Sequence, residues 1–232
     1  MNKQNRPLIS RVSWVLKFGI VFFFISTILT TVFYRFVAPP VTPIMIMRVI
    51  GQLAEGRQLK MSKHWIPFSE ISPNLVRAVI TSEDNNFMAH FGVDFEAIEK
   101  ARKLNERSKK LRGASTISQQ TAKNVYLWLG RNYLRKALEL YFTGLIELTW
   151  SKERIMEVYL NVIEMGDGIY GAEMASQTYF HKPAKYLTRS EAALIAAVLP
   201  NPRNWSPVRP TPYIIHKKNW ILRYMNKFNQ PD

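Results

Sequence analysis

The chain has 232 residues, enough for one domain of ordinary size with its own core and a further segment. Thirty-two Lys and Arg against seventeen Asp and Glu leave a net charge of +15, which calls for an anionic partner: nucleic acid, an acidic membrane surface or a phosphorylated substrate. Cysteine is absent, which excludes a disulfide framework and a thiolate metal site, and the four histidines, at 64, 90, 181 and 216, lack the spacing of zinc ligands.

Residues 1–17 form a basic N-terminus, followed by the uncharged, Phe-, Ile- and Val-rich run Phe18 to Tyr34, long enough to span a bilayer. A cleaved signal peptide is the rival reading. The apolar run is long for one, and Phe36-Val37-Ala38-Pro39-Pro40 is a poor small-residue cleavage site, so residues 18–35 read as an uncleaved transmembrane anchor. Lys3, Arg6, Arg11 and Lys17 precede the span and only Arg35 and Arg48 follow closely, which puts the N-terminus in the cytoplasm and the body outside. Residues 36–64 then read as a linker and membrane-proximal segment. Pro39-Pro40 and Pro43 stiffen it, and Ile44 to Met47 with Val49 and Ile50 make a second apolar patch, too short to span, that either meets the membrane or packs as a buried helix.

The body, residues 65–232, is helical in periodicity nearly throughout, with no convincing strand and no internal repeat, so the fold class is mainly α. Ser72-Pro73 reads as an N-cap and first helical residue, and Leu75, Val76, Val79 and Ile80 give one apolar stripe. Glu83 falls on that stripe, where a core residue is expected. The two Asn and Gly92 that follow end the helix near Glu83, at its negative pole. Partial burial and that pole both favour the neutral acid, which suits a general base; a solvated helix end is the bland alternative.

Asp94 can cap a helix through Ala101, and Lys103 to Arg112 predicts a mobile basic loop. Thr116 and Gln119 have capping-box spacing, and Thr116, Gln120, Lys123 and Asn124 share a polar face. Asn132 to Trp150 predicts a long helix with Leu134, Leu138, Tyr141, Leu145 and Leu148 toward the core. Beside that stripe, Arg135 and Lys136 precede Glu139 by four and three residues, the weaker order for a surface salt bridge. Ser151 caps the next helix, which ends at Gly166-Asp167-Gly168-Ile169-Tyr170-Gly171. That G-x-G-x-x-G follows a helix rather than a strand, so it predicts a tight turn between helices and no dinucleotide site. Thr188 with Glu191 opens the most apolar helix, Ala192 to Leu199, expected at the centre of the core; a proline-rich segment and a short basic helix, about Tyr213 to Phe228, close the chain.

Together these stretches resemble glycosyltransferase family 51, the peptidoglycan glycosyltransferases. The resemblance rests on five motifs in order over roughly residues 65 to 210: Glu83-Asp84, Phe87, His90, Gly92 and Asp94; Gly113, Ser115-Thr116-Ile117, Gln119-Gln120 and Lys123-Asn124, with Ala114 where a second Gly is usual; Arg135-Lys136 with Glu139; Ile155, Glu157, Tyr159-Leu160-Asn161 and Gly166; and Ala192 to Pro200. It implies a lysozyme-like helical domain with a small membrane-associated jaw, and a biosynthetic enzyme of the monofunctional kind, since the S-x-x-K of a penicillin-binding transpeptidase is absent from this sequence.

The reaction so implied is attack of an acceptor 4-hydroxyl on the anomeric carbon of lipid II, with inversion and loss of undecaprenyl diphosphate. Glu83 would act as base, and Glu139 is the second candidate catalytic carboxylate. Lys123, Arg135 and Lys136 would meet the diphosphate; Gln120 and Asn124 would add neutral donors, Ser115 and Thr116 donors at a helix N-terminus, and Asp84, Phe87, His90 and Gly113 complete the substrate-binding set. No metal-ligand set and no required cofactor is expected, and a divalent cation such as Mg2+ is compatible. The implied partners are lipid II, the growing glycan strand, membrane lipids and proteins of cell-wall synthesis or division, with no nucleic acid, at the inner membrane with the catalytic domain on its periplasmic side. A lytic transglycosylase or muramidase is the rival, but cleaving a neutral glycosidic bond needs no Lys and Arg cluster beside the carboxylates. A non-catalytic basic module accounts for the charge and leaves Glu83 and Glu139 unexplained.

Overall fold

The computed structural model describes residues 8–106, 113, 115–130 and 132–227. The chain divides into two compact units, Met1–Val37 and Ala38–Asp232. The first is built on helix α1, Leu8–Phe36, which begins ten residues before the uncharged run. Its portion Val12–Phe36 is long and apolar enough to cross a membrane. Ser26, Thr27, Thr30 and Thr31 donate their hydroxyls to carbonyls three or four residues back, which satisfies them within the helix, as a lipid environment demands.

The second unit is mainly α, as the periodicity predicts. Helix starts are set by side-chain caps: Thr42 on α2 (Pro43–Ala54), Ser72 on α3 (Pro73–Glu83), Asn132 on α6 (Tyr133–Thr149), Ser151 on α7 (Lys152–Val162) and Thr211 on α10 (Pro212–Tyr224). Both expected capping boxes form, Thr116 with Gln119 on α5 (Ile117–Tyr126) and Thr188 with Glu191 on α9 (Arg189–Val198). Helix α8 (Ala172–Phe180) lies between α7 and α9 in sequence. The centre of the core is α9, whose Ala192, Ala193 and Ile195 to Val198 are fully buried; α3 and α10 pack against it, while α5 packs against α6 and α7. The small side chains of α9 let its neighbours approach closely.

Four expectations are corrected. A three-stranded sheet exists: β1 (Ser62–Lys63) runs parallel to β3 (Ile169–Tyr170), which pairs antiparallel with β2 (Glu164–Gly166). Strands of two or three residues are too short to show alternation. The glycine-rich run is therefore the turn of the β2–β3 hairpin, not a turn between helices, and Gly168 sits at φ +73° where a Cβ would lie 2.4 Å from the Lys60 carbonyl oxygen. Helix α4 (Phe95–Glu106) runs past Ala101, with Asp94 accepting from Ala97 N at 2.8 Å, and residues 107–112 of the expected basic loop lie outside the described residues, as does Ala114.

The fourth correction concerns α6. Its buried side is Glu139, Phe142, Thr143, Ile146 and Glu147, whereas Leu134 and Leu148 of the expected stripe are 65% and 73% exposed. Two carboxylates take the inward positions because cations reach them there. Residues 38–64 of the membrane-proximal segment belong to the same unit as the body. Lys63 donates from Nζ to the Pro39 and Pro40 carbonyls, and burial pushes its amine down to about 8.

Candidate active site

Helix α3 ends at Glu83, and Asp84 caps it. The Glu83 carboxylate, 14% exposed, is not met by apolar surface: Ser82 Oγ donates to Oε1 at 3.0 Å, Gln120 Nε2 donates to Oε2 at 3.2 Å, and Lys217 Nζ stands 3.9 Å from Oε1. Lys217 comes from α10, beyond the stretches that drew attention in the sequence. It was legible there, since it lies three residues after Ile214 and four before Ile221, both buried, so it is a cation on an apolar stripe just as Glu83 is an anion on one. Burial pushes the Lys217 amine down, and the Glu83 charge partly restores it.

Asp84 is buried, and both of its carboxylate oxygens are engaged within the protein. His90 Nε2 lies 2.9 Å from its Oδ1, and Ile117 N donates to Oδ2 at 2.9 Å, which ties the start of α5 to the end of α3. Glu147, Ser118 and Lys152 extend this support, with Lys152 Nζ donating to Glu147 Oε1 and to the His90 carbonyl, both at 2.7 Å, and standing 4.6 Å over the Phe87 ring. Phe87 is fully buried and belongs to the core, and Thr116 spends its hydroxyl on the Gly92 carbonyl and on Gln119 N. Phe87 is thus not placed to hold a substrate, which corrects that expectation, whereas Thr116 lines the cavity beside Glu83 with its hydroxyl engaged within the protein. Gly92 is required where it is: at φ +77° a Cβ would stand 2.7 Å from the Thr143 methyl.

Glu83 lines one of two cavities, and its partner Gln120 lines the other. One, about 410 Å³, is lined by Glu83 with Asn85, Asn86, Lys100, Gly113, Ser115 and Trp220. The other, about 330 Å³, is lined by Gln120, Lys123, Asn124 and Arg135 together with Arg48, Tyr159 and Glu164. Gln120 joins them: its amide nitrogen is on Glu83, and its carbonyl accepts from Tyr159 OH at 3.2 Å. Burial and the Glu83 and Asp84 charges push the Tyr159 phenol up, which keeps it a donor and fixes the amide's orientation.

Glu139 lies behind the second cavity, 4% exposed, with Arg135 Nη1 at 2.7 Å on Oε2 and Lys136 Nζ at 2.5 Å on Oε1. These cations diverge. Arg135 faces the cavity of Lys123, whereas Lys136 lines a more apolar groove with Phe95, Ile98 and Leu140. Lys136 thus does not line the cavity of the other two, which corrects the grouping that the resemblance implied. Burial pushes the Lys123 amine down; Glu139 opposes that, and Arg135, Lys136 and Arg48 add to it. Residues 49–226 match the family described as transglycosylase. The chain belongs to the transglycosylase family.

Over 224 residues this transglycosylase is 52% identical to the biosynthetic peptidoglycan transglycosylase of Bacteroides thetaiotaomicron, covering 96% of this chain and 90% of that protein. It is 51% identical over 209 residues to the protein of that name from Bdellovibrio bacteriovorus, covering 90% and 83% of the two chains. With that of Rhodospirillum centenum the identity is 55% over 192 residues, 83% and 81% of the two. The helical architecture around Glu83 is that of the family's lysozyme-like domain.

Proposed function

We infer that the two cavities, one lined by Glu83 and the other by Gln120, hold the two partners of a glycosyl transfer, the acceptor sugar on the Asn85 and Ser115 side and the donor's diphosphate on the Lys123 and Arg135 side. The chain is a peptidoglycan glycosyltransferase that builds glycan strands, and the donor is lipid II. The observation that carries the mechanism is Gln120, whose side chain touches the Glu83 carboxylate while lining the cationic cavity, so that base and anion site share one wall.

Glu83 takes the proton of the acceptor 4-hydroxyl as its oxygen attacks the anomeric carbon from the face opposite the leaving group, which gives inversion in a single displacement. General-base help of this kind is typically worth ~10² to 10⁴ in rate. Lys123 and Arg135 meet the diphosphate, with Asn124 and Gln120 as neutral donors. Glu139 orients Arg135 and Lys136. Both of its oxygens are already taken by them, so a divalent cation such as Mg2+ would have to displace one, and this donor set does not fit a metal site. The four basic residues before the span support a catalytic unit on the outer side of the cytoplasmic membrane, where lipid II, the growing strand and other cell-wall proteins would meet it.

The test is labelled lipid II given to the detergent-solubilised protein with and without Mg2+. Glycan polymer at comparable rates in both, lost in E83Q, is the expected result. Fragments of preformed glycan would instead mark a hydrolase.

A further inference from the structure

Helix α2 turns two kinds of residue in opposite directions. Ile44 and Met45 are buried, Ile46 and Ile50 are exposed, and Arg48 lies four residues after Ile44 on the inward side. It lines the cavity of Lys123 and Arg135 from α2, a position outside all five sequence motifs. Glu164 is the one carboxylate lining that cavity among the described residues, and it pairs with Arg48 poorly: Nε lies 3.3 Å from Glu164 Oε2, yet this buried nitrogen makes no hydrogen bond. A buried guanidinium nitrogen without a hydrogen bond is costly, so Glu164 satisfies Arg48 incompletely, and Arg48, Lys123 and Arg135 leave the cavity they line with excess positive charge.

The charge of the reaction explains the excess. In the donor the diphosphate is esterified at both ends. When the bond from the anomeric carbon to the phosphate oxygen breaks, its electron pair stays on that oxygen and the leaving diphosphate gains one full negative charge, while the acceptor's proton goes to Glu83. Lys123 and Arg135 suffice for the ground state; a further cation is useful in proportion to the charge that develops. We propose that Arg48 is the third cation of the diphosphate site, matched to the charge the leaving group acquires as the glycosidic bond breaks. The proposal rests on the reading that the diphosphate occupies this cleft. It gives α2 a double role, with apolar residues outward and a head-group ligand inward.

The full-length protein in detergent tests this through R48Q, R48K and E164Q, each with lipid II turnover, thermal melting and the affinity for farnesyl diphosphate against farnesyl monophosphate. R48Q should keep its melting and its KM for lipid II within about twofold, lose about ten- to a hundredfold in kcat, and weaken the diphosphate by a similar factor but the monophosphate much less, the worth of one charged hydrogen bond. R48K should recover part of the loss. E164Q should bind the diphosphate at least as tightly as the unaltered protein, because it frees Arg48. If R48Q and E164Q lose diphosphate affinity alike, or if R48Q affects melting and not kcat, Arg48 is only the structural partner of Glu164 and the proposal fails. An unaltered protein that bound the diphosphate through Arg48 but made no polymer would overturn the reading of the reaction and leave the site.

Discussion

Glu83 and Lys217 each break an apolar stripe, one on α3 and one on α10, and fold into each other's reach at 3.9 Å. If the ammonium serves the carboxylate, removing both costs no more than removing Glu83 alone. E83Q should lower polymerisation by at least ~10². K217M should lower it several-fold by itself and add nothing in the E83Q background, and additive losses in that double-mutant cycle would separate the two residues. Lys123 carries a pH signature. Its amine is pushed down by burial, so it loses its charge at a lower pH than an exposed lysine, and kcat/KM should fall as pH rises through that depressed value. A bound diphosphate favours the charged amine, which should place the alkaline limb of kcat at higher pH than that of kcat/KM. In K123R, whose guanidinium stays charged, the limb should move upward even though overall activity drops. Glu83 was legible because a charge on an apolar stripe is anomalous in a sequence, a signal that Lys217 also carries, and Lys123 was legible from the polar face that it shares with Gln120 and Asn124. The burial of Phe87 was not, because motif spacing cannot distinguish a side chain that faces the cleft from one that holds its wall in place.

Elements were legible to the degree that their ends carry caps. Ser72-Pro73, Thr116 with Gln119, and Thr188 with Glu191 set boundaries that the structure keeps, whereas the two-residue strands left no pattern to read. Helix α6 shows why periodicity alone misleads. It has two stripes at helical spacing, and the leucine-rich one looks like the core, yet the inward one carries Glu139, paired with Arg135 and Lys136 of the same helix, and Glu147, paired with Lys152 of α7, a contact between elements that periodicity does not show. The energetic contrast is measurable. K152M removes the partner of buried Glu147 and leaves that charge uncompensated, so it should lower the stability of the second unit by about 3 to 5 kcal/mol. L148S, on the exposed stripe, should stay within about 0.5 kcal/mol. Denaturant unfolding of the two variants checks the pair. Equal losses would return the leucine stripe to the core.

At the scale of the molecule, the polyprenyl tail of the donor cannot leave the bilayer without exposing apolar surface at ~25 cal/mol per Å², so the catalytic cleft must come to the membrane. Within the second unit, α2 offers the means. Ile46, Met47, Ile50 and Leu53 are exposed on one side, Leu129 N approaches Met47 Sδ at 3.4 Å, and Arg48 of the same helix lines the cavity of Lys123 and Arg135. An exposed apolar patch on a helix with a buried reverse face marks a surface that meets another apolar phase, and unbranched Met side chains suit contact with disordered chains. Ile44 and Met45 belong to the core, so they must be left alone in any test; a substitution there would unfold the helix and prove nothing. A chain beginning at Ala38 keeps the whole compact second unit and lacks α1. It should still bind liposomes of anionic and neutral lipid and require detergent for solubility. The same chain with Ser at Ile46, Met47 and Ile50 should melt cooperatively within a few degrees of its parent, fail to sediment with liposomes, and turn over lipid II poorly in vesicles. In detergent solution, where the tail is delivered without a bilayer, the Ser variant should recover most of its turnover. Undiminished liposome binding would show that α2 is not the membrane-facing side, and an equal loss of turnover in vesicles and in detergent would mean that the patch shapes the cleft itself rather than bringing it to the lipid.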